Sequence, residues 1–248
     1  MDARRLLLLL ALASPLLGGE PLLFTSGTRR VALIELYTSE GCSSCPPADR
    51  WLGSLAASPG LWTEFVPVAF HVTYWDSLGW TDRLSRREYT DRQYAYAEAW
   101  GSGRVYTPCF VRNGSEWQPA WGDGGVAAGD PGRLTIEGSG TGGWTVEYRP
   151  RGPAGAPGPA HRAHVALLGC GLHSRVTAGE NRGSTLAHDF VVLAVAEESL
   201  DGRPGGPERA VVSLSGTGDP GAGRRAVAAW VTQAGSLVPL QATGGWIP

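Results

Sequence analysis

A Cys-Ser-Ser-Cys quartet at positions 42–45 stands between an apolar run with the length of a buried strand and a segment whose apolar residues recur at helical spacing. Residues 31–37 are apolar except for Glu35 and predict the strand. Thr38 to Gly41 make the turn, and beyond Pro46 and Pro47 the residues Trp51, Leu52, Leu55 and Ala56 predict the helix. Proline fits a first helical turn, where its missing N–H has no partner to lose, so the cysteines are placed at a helix start. There the unpaired backbone N–H groups and the positive end of the dipole stabilise a thiolate. Cys42 is then the attacking thiol, and Cys45, less exposed but within reach of the first sulfur, resolves the mixed disulfide. The spacing alone is a weak signal; its placement between strand and helix carries the reading.

The next elements continue the alternation. Residues 65–74 predict a second strand, and Ser85 and Glu88 stand at capping-box spacing before a helix whose Tyr89, Gln93, Tyr96, Ala97 and Trp100 share one face and whose stop is Gly101. Residues 75–84 read as an insertion. Residues 109–112 predict a short strand that turns at Asn113-Gly114 and returns through 116–118. From about residue 122 the composition shifts to glycine, proline and short alternating runs at 134–137, 144–148, 164–168, 190–196, 210–214, 226–232 and 237–241. That spacing suits a β-sandwich, with 150–160 as a loop inside it. The expected organisation is an α/β domain over residues 29–128 followed by a smaller all-β, sandwich-like domain over 132–248.

Arg4, Arg5, the leucine run from Leu6 to Leu10 and small residues after it have the three regions of a signal peptide, here residues 1–19. An uncut membrane anchor is the other reading. No later segment is long and apolar enough to span a bilayer as a helix, so the mature chain is expected to be secreted or periplasmic, without a stable membrane span, in a compartment where disulfides persist. Net charge is −2, and all 21 basic residues are arginine. No basic run interleaved with aromatics occurs, which sets nucleic acid aside as a partner.

Glu35 and Pro108 add to the cysteine pair. The segment resembles the thioredoxin superfamily, in which a buried carboxylate late in the preceding strand relays the resolving cysteine's proton and a cis-proline lies beside the pair. The resemblance implies those roles for Glu35 and for Pro108 after Thr107, and it implies that the Thr107 backbone is free to pair with an extended peptide. Glu35 precedes Cys42 by seven residues, one more than is usual in those relatives. A carboxylate facing water from an edge strand is its other reading, and an ordinary trans proline is the alternative at Pro108. More narrowly, residues 35–47 (ELYTSEGCSSCPP), 69–80 (AFHVTYWDSLGW), 105–108 (VYTP) and 179–189 (GENRGSTLAHD) are similar to the secreted thioredoxin-like family called domain of unknown function 1223. This likeness implies an α/β thioredoxin-like fold and a location outside the cytoplasm, and lends no substrate. Thr73 stands where it implies an acidic residue and Cys109 where it implies glutamine. Cys109 either approaches the pair as a third thiol, pairs with Cys170, or stays buried and free.

His71, Tyr74, Trp75, Asp76 and Trp80 either roof the cysteines or close the small core. Glu180, Asn181, Arg182, His188 and Asp189 are expected to hold an internal turn rather than a second active site. Three functions compete. The first is a thiol–disulfide oxidoreductase with no added cofactor and a protein or small-molecule thiol or disulfide as partner. The second is a copper-handling protein with Cys42, Cys45 and His71 as ligands. The third is an envelope binding protein in which the pair is a static disulfide. Because Ser43 and Ser44 carry neither charge nor imidazole, the first predicts a mildly rather than strongly oxidising couple.

Overall fold

The structure, a computed structural model, describes residues 21–119, 129–139, 142–151, 159–203, 206–215 and 221–248. The expected signal peptide at 1–19 lies outside the described residues, as does the middle of the expected 150–160 loop. The first half contains β1 (Leu22–Thr25), β2 (Ala32–Thr38), α1 (Pro46–Ser54), β3 (Phe65–His71), α2 (Arg87–Ala99), β4 (Cys109–Arg112) and β5 (Ser115–Trp117). The second half is all strand: β6 (Gly132–Gly138), β7 (Gly143–Pro150), β8 (His161–Cys170), β9 (Leu172–Arg175), β10 (Thr185–His188), β11 (Val191–Ser199), β12 (Asp201–Gly202), β13 (Glu208–Ser213), β14 (Arg224–Gln233) and β15 (Pro239–Ile247).

These strands form an eight-stranded mixed sheet in the order β15-β14-β8-β11-β3-β2-β4-β5, a five-stranded sheet in the order β1-β6-β7-β13-β12, and the pair β10-β9. β2 runs parallel to β3 and antiparallel to β4, so every residue of it is buried, as its apolar run requires. The Asn113-Gly114 turn joins β4 to β5 with both residues at positive φ, the backbone twist that a two-residue hairpin needs. At the opposite margin of the α/β elements, β11 adds to β3 through the parallel pairing of Val191 with Ala69.

The sequence of β8 and β14 explains their place in the middle of the larger sheet. Ala166, Leu168, Ala226, Ala228 and Trp230 enter one core, shared with Leu36, Phe70 and Tyr96. The alternate residues Val165, Leu167, Val227, Ala229 and Val231 enter a second core against Leu134, Ile136, Trp144 and Val146 of the five-stranded sheet. Continuous apolar strands fit a sheet covered on both sides, whereas β6 and β7 alternate buried with exposed residues because only one face is covered.

This arrangement corrects the expected fold class. The chain is not an α/β thioredoxin-like domain followed by a smaller all-β unit; it is a mostly β protein with large mixed sheets and two α-helices among the described residues. The physical reason is the margin of β3. Its ladder groups and the apolar faces beside it are completed by β11, β8, β14 and β15, which local patterning assigns to a separate layer. The expected capping box is also corrected: the N-cap of α2 is Arg86, which makes no side-chain cap, and the Ser85 hydroxyl instead donates to Asp76 Oδ2 at 2.9 Å.

Candidate functional site

β2 ends at Thr38, and the following turn is closed by the Cys42 N–H donating to the Ser39 carbonyl at 3.2 Å and the Cys45 N–H to the Cys42 carbonyl at 3.3 Å. The Ala48 and Asp49 N–H groups donate to the Cys45 carbonyl at 2.9 and 3.1 Å, which makes Cys45 the N-cap of α1, with Pro46 and Pro47 in its first turn. Cys42 Sγ lies 3.3 Å from Ser44 Oγ and 3.7 Å from the carbonyl oxygen of Thr107, and the Thr107–Pro108 peptide is cis. Thus the structure brings Cys42, Cys45, Thr107 and Pro108 together.

All four cysteines are free thiols. Hydrogen bonding with Cys45, aided by the Ser44 hydroxyl and by Thr107, outweighs burial and lowers the Cys42 thiol to about 6. Burial raises Cys45 far above the ordinary thiol range, and its hydrogen bond to Cys42 adds to that. At neutral pH this is an asymmetric pair, one sulfur ionised and the other holding its proton.

Residues 176–189 hold this loop from the far half of the chain, a role the sequence reading missed. The turn itself is closed by backbone bonds from Arg182 N–H to Gly179, Gly183 N–H to Val176 and Ser184 N–H to Asn181. Its side chains, however, reach outward. Asn181 Nδ2 donates to the carbonyls of Glu40 and Cys42, at 2.9 Å each, and Glu180 Oε2 accepts the Ser43 N–H at 3.0 Å. The Asx and Glu residues of a turn ordinarily satisfy their own loop, so spacing alone offered no signal that these two serve another.

Behind the cysteine loop lies a buried polar cluster. His71 Nδ1 and Asp82 Oδ2 are 2.6 Å apart, and Asp82 Oδ2 also accepts the Glu40 N–H at 2.9 Å. Trp80 Nε1 donates to Glu40 Oε2 at 2.7 Å, and His188 stands 3.4 Å from Glu40 and 3.8 Å from Asp49. The rings of His71 and His188 meet edge to face with centroids 4.9 Å apart. Burial opposes ionisation of Asp82, but the charge and hydrogen bond of His71 prevail and hold its carboxyl at about 2. Burial likewise works against His71, and Asp82 raises it above the ordinary imidazole value. Burial raises Asp49. Glu40 sits two residues before Cys42, so the cluster anchors the loop from below.

Glu35 is not brought to the cysteines. Its carboxylate is fully buried and accepts hydrogen bonds from Arg92 Nε at 2.8 Å, Tyr96 OH at 2.6 Å and Tyr37 OH at 3.1 Å. Neither a carboxylate facing water nor a partner of Cys45 describes it; its chemistry is that of a compensated buried ion pair. Cys109 and Cys170 do not bridge. Burial raises Cys109 to about 11 and Cys170 to about 12, and Cys170 Sγ accepts the Phe190 N–H at 3.2 Å. As for the copper arrangement of Cys42, Cys45 and His71, His71 bonds Asp82 through Nδ1 while its Nε2 has no hydrogen-bond partner, and no group of three or more His, Cys, Asp or Glu side chains converges on a metal position among the described residues.

The family described as "Protein of unknown function (DUF1223)" matches residues 33–231, which takes in the cysteine loop, the Thr107–Pro108 segment and the 176–189 clamp. Among solved structures, protein AGR_C_4864 from Agrobacterium tumefaciens is 24% identical, with a TM-score of 0.58 over 88% of this chain and 95% of that one. HBP35 of Porphyromonas gingivalis is 14% identical, with a TM-score of 0.60 over 90% of this chain and 76% of that one. At these identities the likeness concerns the fold alone. No curated protein matches the chain.

Proposed function

We propose that this chain, which belongs to the DUF1223 family of proteins of unknown function, is a thiol–disulfide oxidoreductase in which Cys42 is the attacking and Cys45 the resolving thiol. One observation carries the reading: Cys42 Sγ lies at the approach to α1 between Ser44 Oγ and the Thr107 carbonyl, with its thiol lowered to about 6 while Cys45 is raised. A static disulfide needs no such asymmetry, whereas exchange chemistry needs one thiolate and one thiol held in reserve.

In the reducing direction the Cys42 thiolate attacks one sulfur of a substrate disulfide R–S–S–R′. The Cys42–S–R bond forms, the substrate S–S bond breaks, and R′–S⁻ leaves to take a proton from water. Cys45 then passes its proton through solvent to the departing thiolate, its sulfur attacks Cys42 Sγ, the Cys42–Cys45 bond forms, the Cys42–S–R bond breaks and R–SH leaves. Two electrons have passed from the dithiol to the substrate, and an external thiol restores the pair by the same steps reversed. The protein supplies no further cofactor in this scheme. Residues 1–19 support a location outside the cytoplasm, secreted or periplasmic, where such a pair meets disulfides.

The test is trapping. A Cys45→Ser variant, which cannot resolve, should accumulate a mixed disulfide on Cys42 when mixed with oxidised glutathione, detectable by intact mass. If Cys42 and Cys45 alkylate at equal rates after mild reduction and no mixed disulfide forms, the pair is a static one and the proposal fails.

A further inference from the structure

Both sulfurs belong to residues almost wholly removed from solvent, Cys42 at 1% and Cys45 at 0% exposure, although Ser43 and Ser44 between them are exposed. Trp75 touches both segments that border Cys42. Trp75 Nε1 donates to Thr107 Oγ1 at 2.8 Å, and Thr107 is the residue whose carbonyl lies against Cys42 Sγ. On the other flank, Trp75 packs on Gly41, the residue before Cys42, so closely that a Cβ on Gly41 would stand 3.0 Å from Trp75 Cβ. Trp75 therefore joins the two segments that border the sulfur, with its Cβ and carbonyl against Gly41 and its indole N–H on Thr107.

The segment carrying Trp75 is braced. Asp76 Oδ1 accepts the Asp82 N–H at 3.1 Å, Asp76 Oδ2 accepts the Ser85 hydroxyl at 2.9 Å, and Trp80 Nε1 is held by Glu40 at 2.7 Å. Three hydrogen bonds to two side chains, Asp76 and Trp80, make a fixed rim rather than a loose flap, and a fixed rim discriminates by size. It also occupies the Thr107 hydroxyl, on the segment that an extended polypeptide would have to approach.

We propose that Trp75 is the specificity-determining residue of the site: it restricts Cys42 to small-molecule thiols and disulfides and keeps protein disulfides out. The inference rests on the redox reading of Cys42 and Cys45, since it narrows the partner of that exchange. Gly41 is part of the same device, because a Cβ there would crowd the Cβ and the carbonyl of Trp75.

The experiment uses the full chain with Cys109 and Cys170 replaced by alanine, so that labelling reports on the pair. Rates of reaction at Cys42 are measured with two alkylating probes, iodoacetamide and a polyethylene-glycol maleimide, and with two disulfides, oxidised glutathione and a reduced-and-glutathionylated unfolded protein. The unmodified Trp75 protein should react readily with both small reagents and about tenfold or more slowly with both large ones, after correction for their intrinsic rates. Trp75→Ala should remove most of that size discrimination, and Trp75→Phe, which keeps the bulk but lacks the N–H for Thr107, should lie between. Circular dichroism on both variants confirms that each is folded, and Trp75→Phe keeps the test open should the alanine variant not fold. If the Trp75 protein already takes large and small reagents alike, or if neither variant alters the ratio, the specificity role is overturned while the redox reading stands. If iodoacetamide and glutathione disulfide both leave Cys42 untouched in every variant, it is the redox reading that falls.

Discussion

The side-chain amide of Asn181 lies 2.9 Å from the carbonyl oxygen of Cys42, across 139 positions of sequence. Through this bond, and its twin to Glu40, the strand-rich half of the chain sets the backbone of the cysteine loop. The turn that presents Asn181 is the motif with the least evident purpose in the sequence.

Replacing Asn181 by alanine takes its donor from the buried Glu40 carbonyl and leaves the Cys42 carbonyl with the Cys45 N–H alone, at a cost of about 1–3 kcal/mol. The loop around Cys42 relaxes, and its alkylation midpoint should move up toward the ordinary thiol range. Urea denaturation and a pH series of iodoacetamide labelling measure the two effects together. Arg182→Ala, one position along and exposed, is the control and should change neither.

The Cys42 thiol is held at about 6, so its alkylation rate should rise through that pH and level off at neutrality. The sign follows from reactivity of the deprotonated form: acid protonates the sulfur and slows the reaction. Ser44→Ala removes a hydrogen bond to the thiolate and should shift the midpoint upward. Cys45, raised by burial, should remain unlabelled in the reduced wild-type protein across the same range.

A thiol stabilised only to that degree implies an intermediate couple. The potential should fall between the about −270 mV of thioredoxin and the about −120 mV of DsbA, a strong oxidant. Equilibration against glutathione buffers measures it, and a value at the oxidising end would contradict the reading that hydrogen bonds alone, without a cationic neighbour, stabilise Cys42.

Glu35→Gln separates structure from chemistry. Removing the charge strands Arg92 in a buried site, so stability should fall by about 3–5 kcal/mol. The pH profile of Cys42 labelling should stay where it was, because Glu35 bonds to Arg92, Tyr96 and Tyr37. A shifted profile in a folded Glu35→Gln protein would return Glu35 to the proton relay that its position before the cysteines suggests.

The His71–Asp82 pair makes stability depend on pH in two directions. Asp82, held at about 2 in the folded chain against about 3.9 when unfolded, contributes stability present above the unfolded value and lost as pH falls toward 2. His71 is raised, so its share is present below about 6.5 and lost as pH rises through its folded value. The stability difference between wild type and Asp82→Asn should be on the order of 2–3 kcal/mol between about pH 4 and 6.5 and shrink on either side. Denaturation curves at acidic, middle and alkaline pH test this.

Much of the local structure was legible. The apolar run before the cysteines, the prolines after them, the Asn113-Gly114 hairpin and the Gly101 stop each act over a few residues, and each is where its pattern places it. The capping box failed because Ser85 had a stronger use than its own helix: Asp76, brought close by the insertion, takes its hydroxyl. Glu35 misled for a related reason. A carboxylate in a buried strand announces that it has a partner, but not whether the partner is a thiol or an arginine from a later helix.

The sequence by itself determined many of the strands, among them the one before the cysteines, and where the cysteine pair starts a helix, since these follow from periodicity and turn chemistry; that Thr107 and Pro108 lie beside the pair was implied only by the family resemblance. Only the tertiary structure decided that β11 joins β3, that Asn181 and Glu180 hold the cysteine loop, and that Trp75 bonds to the Thr107 hydroxyl beside Cys42. Strand pairing and side-chain hydrogen bonds between distant segments depend on which exposed margins and unpaired polar groups meet in space, and that pairing leaves no periodic trace along the chain.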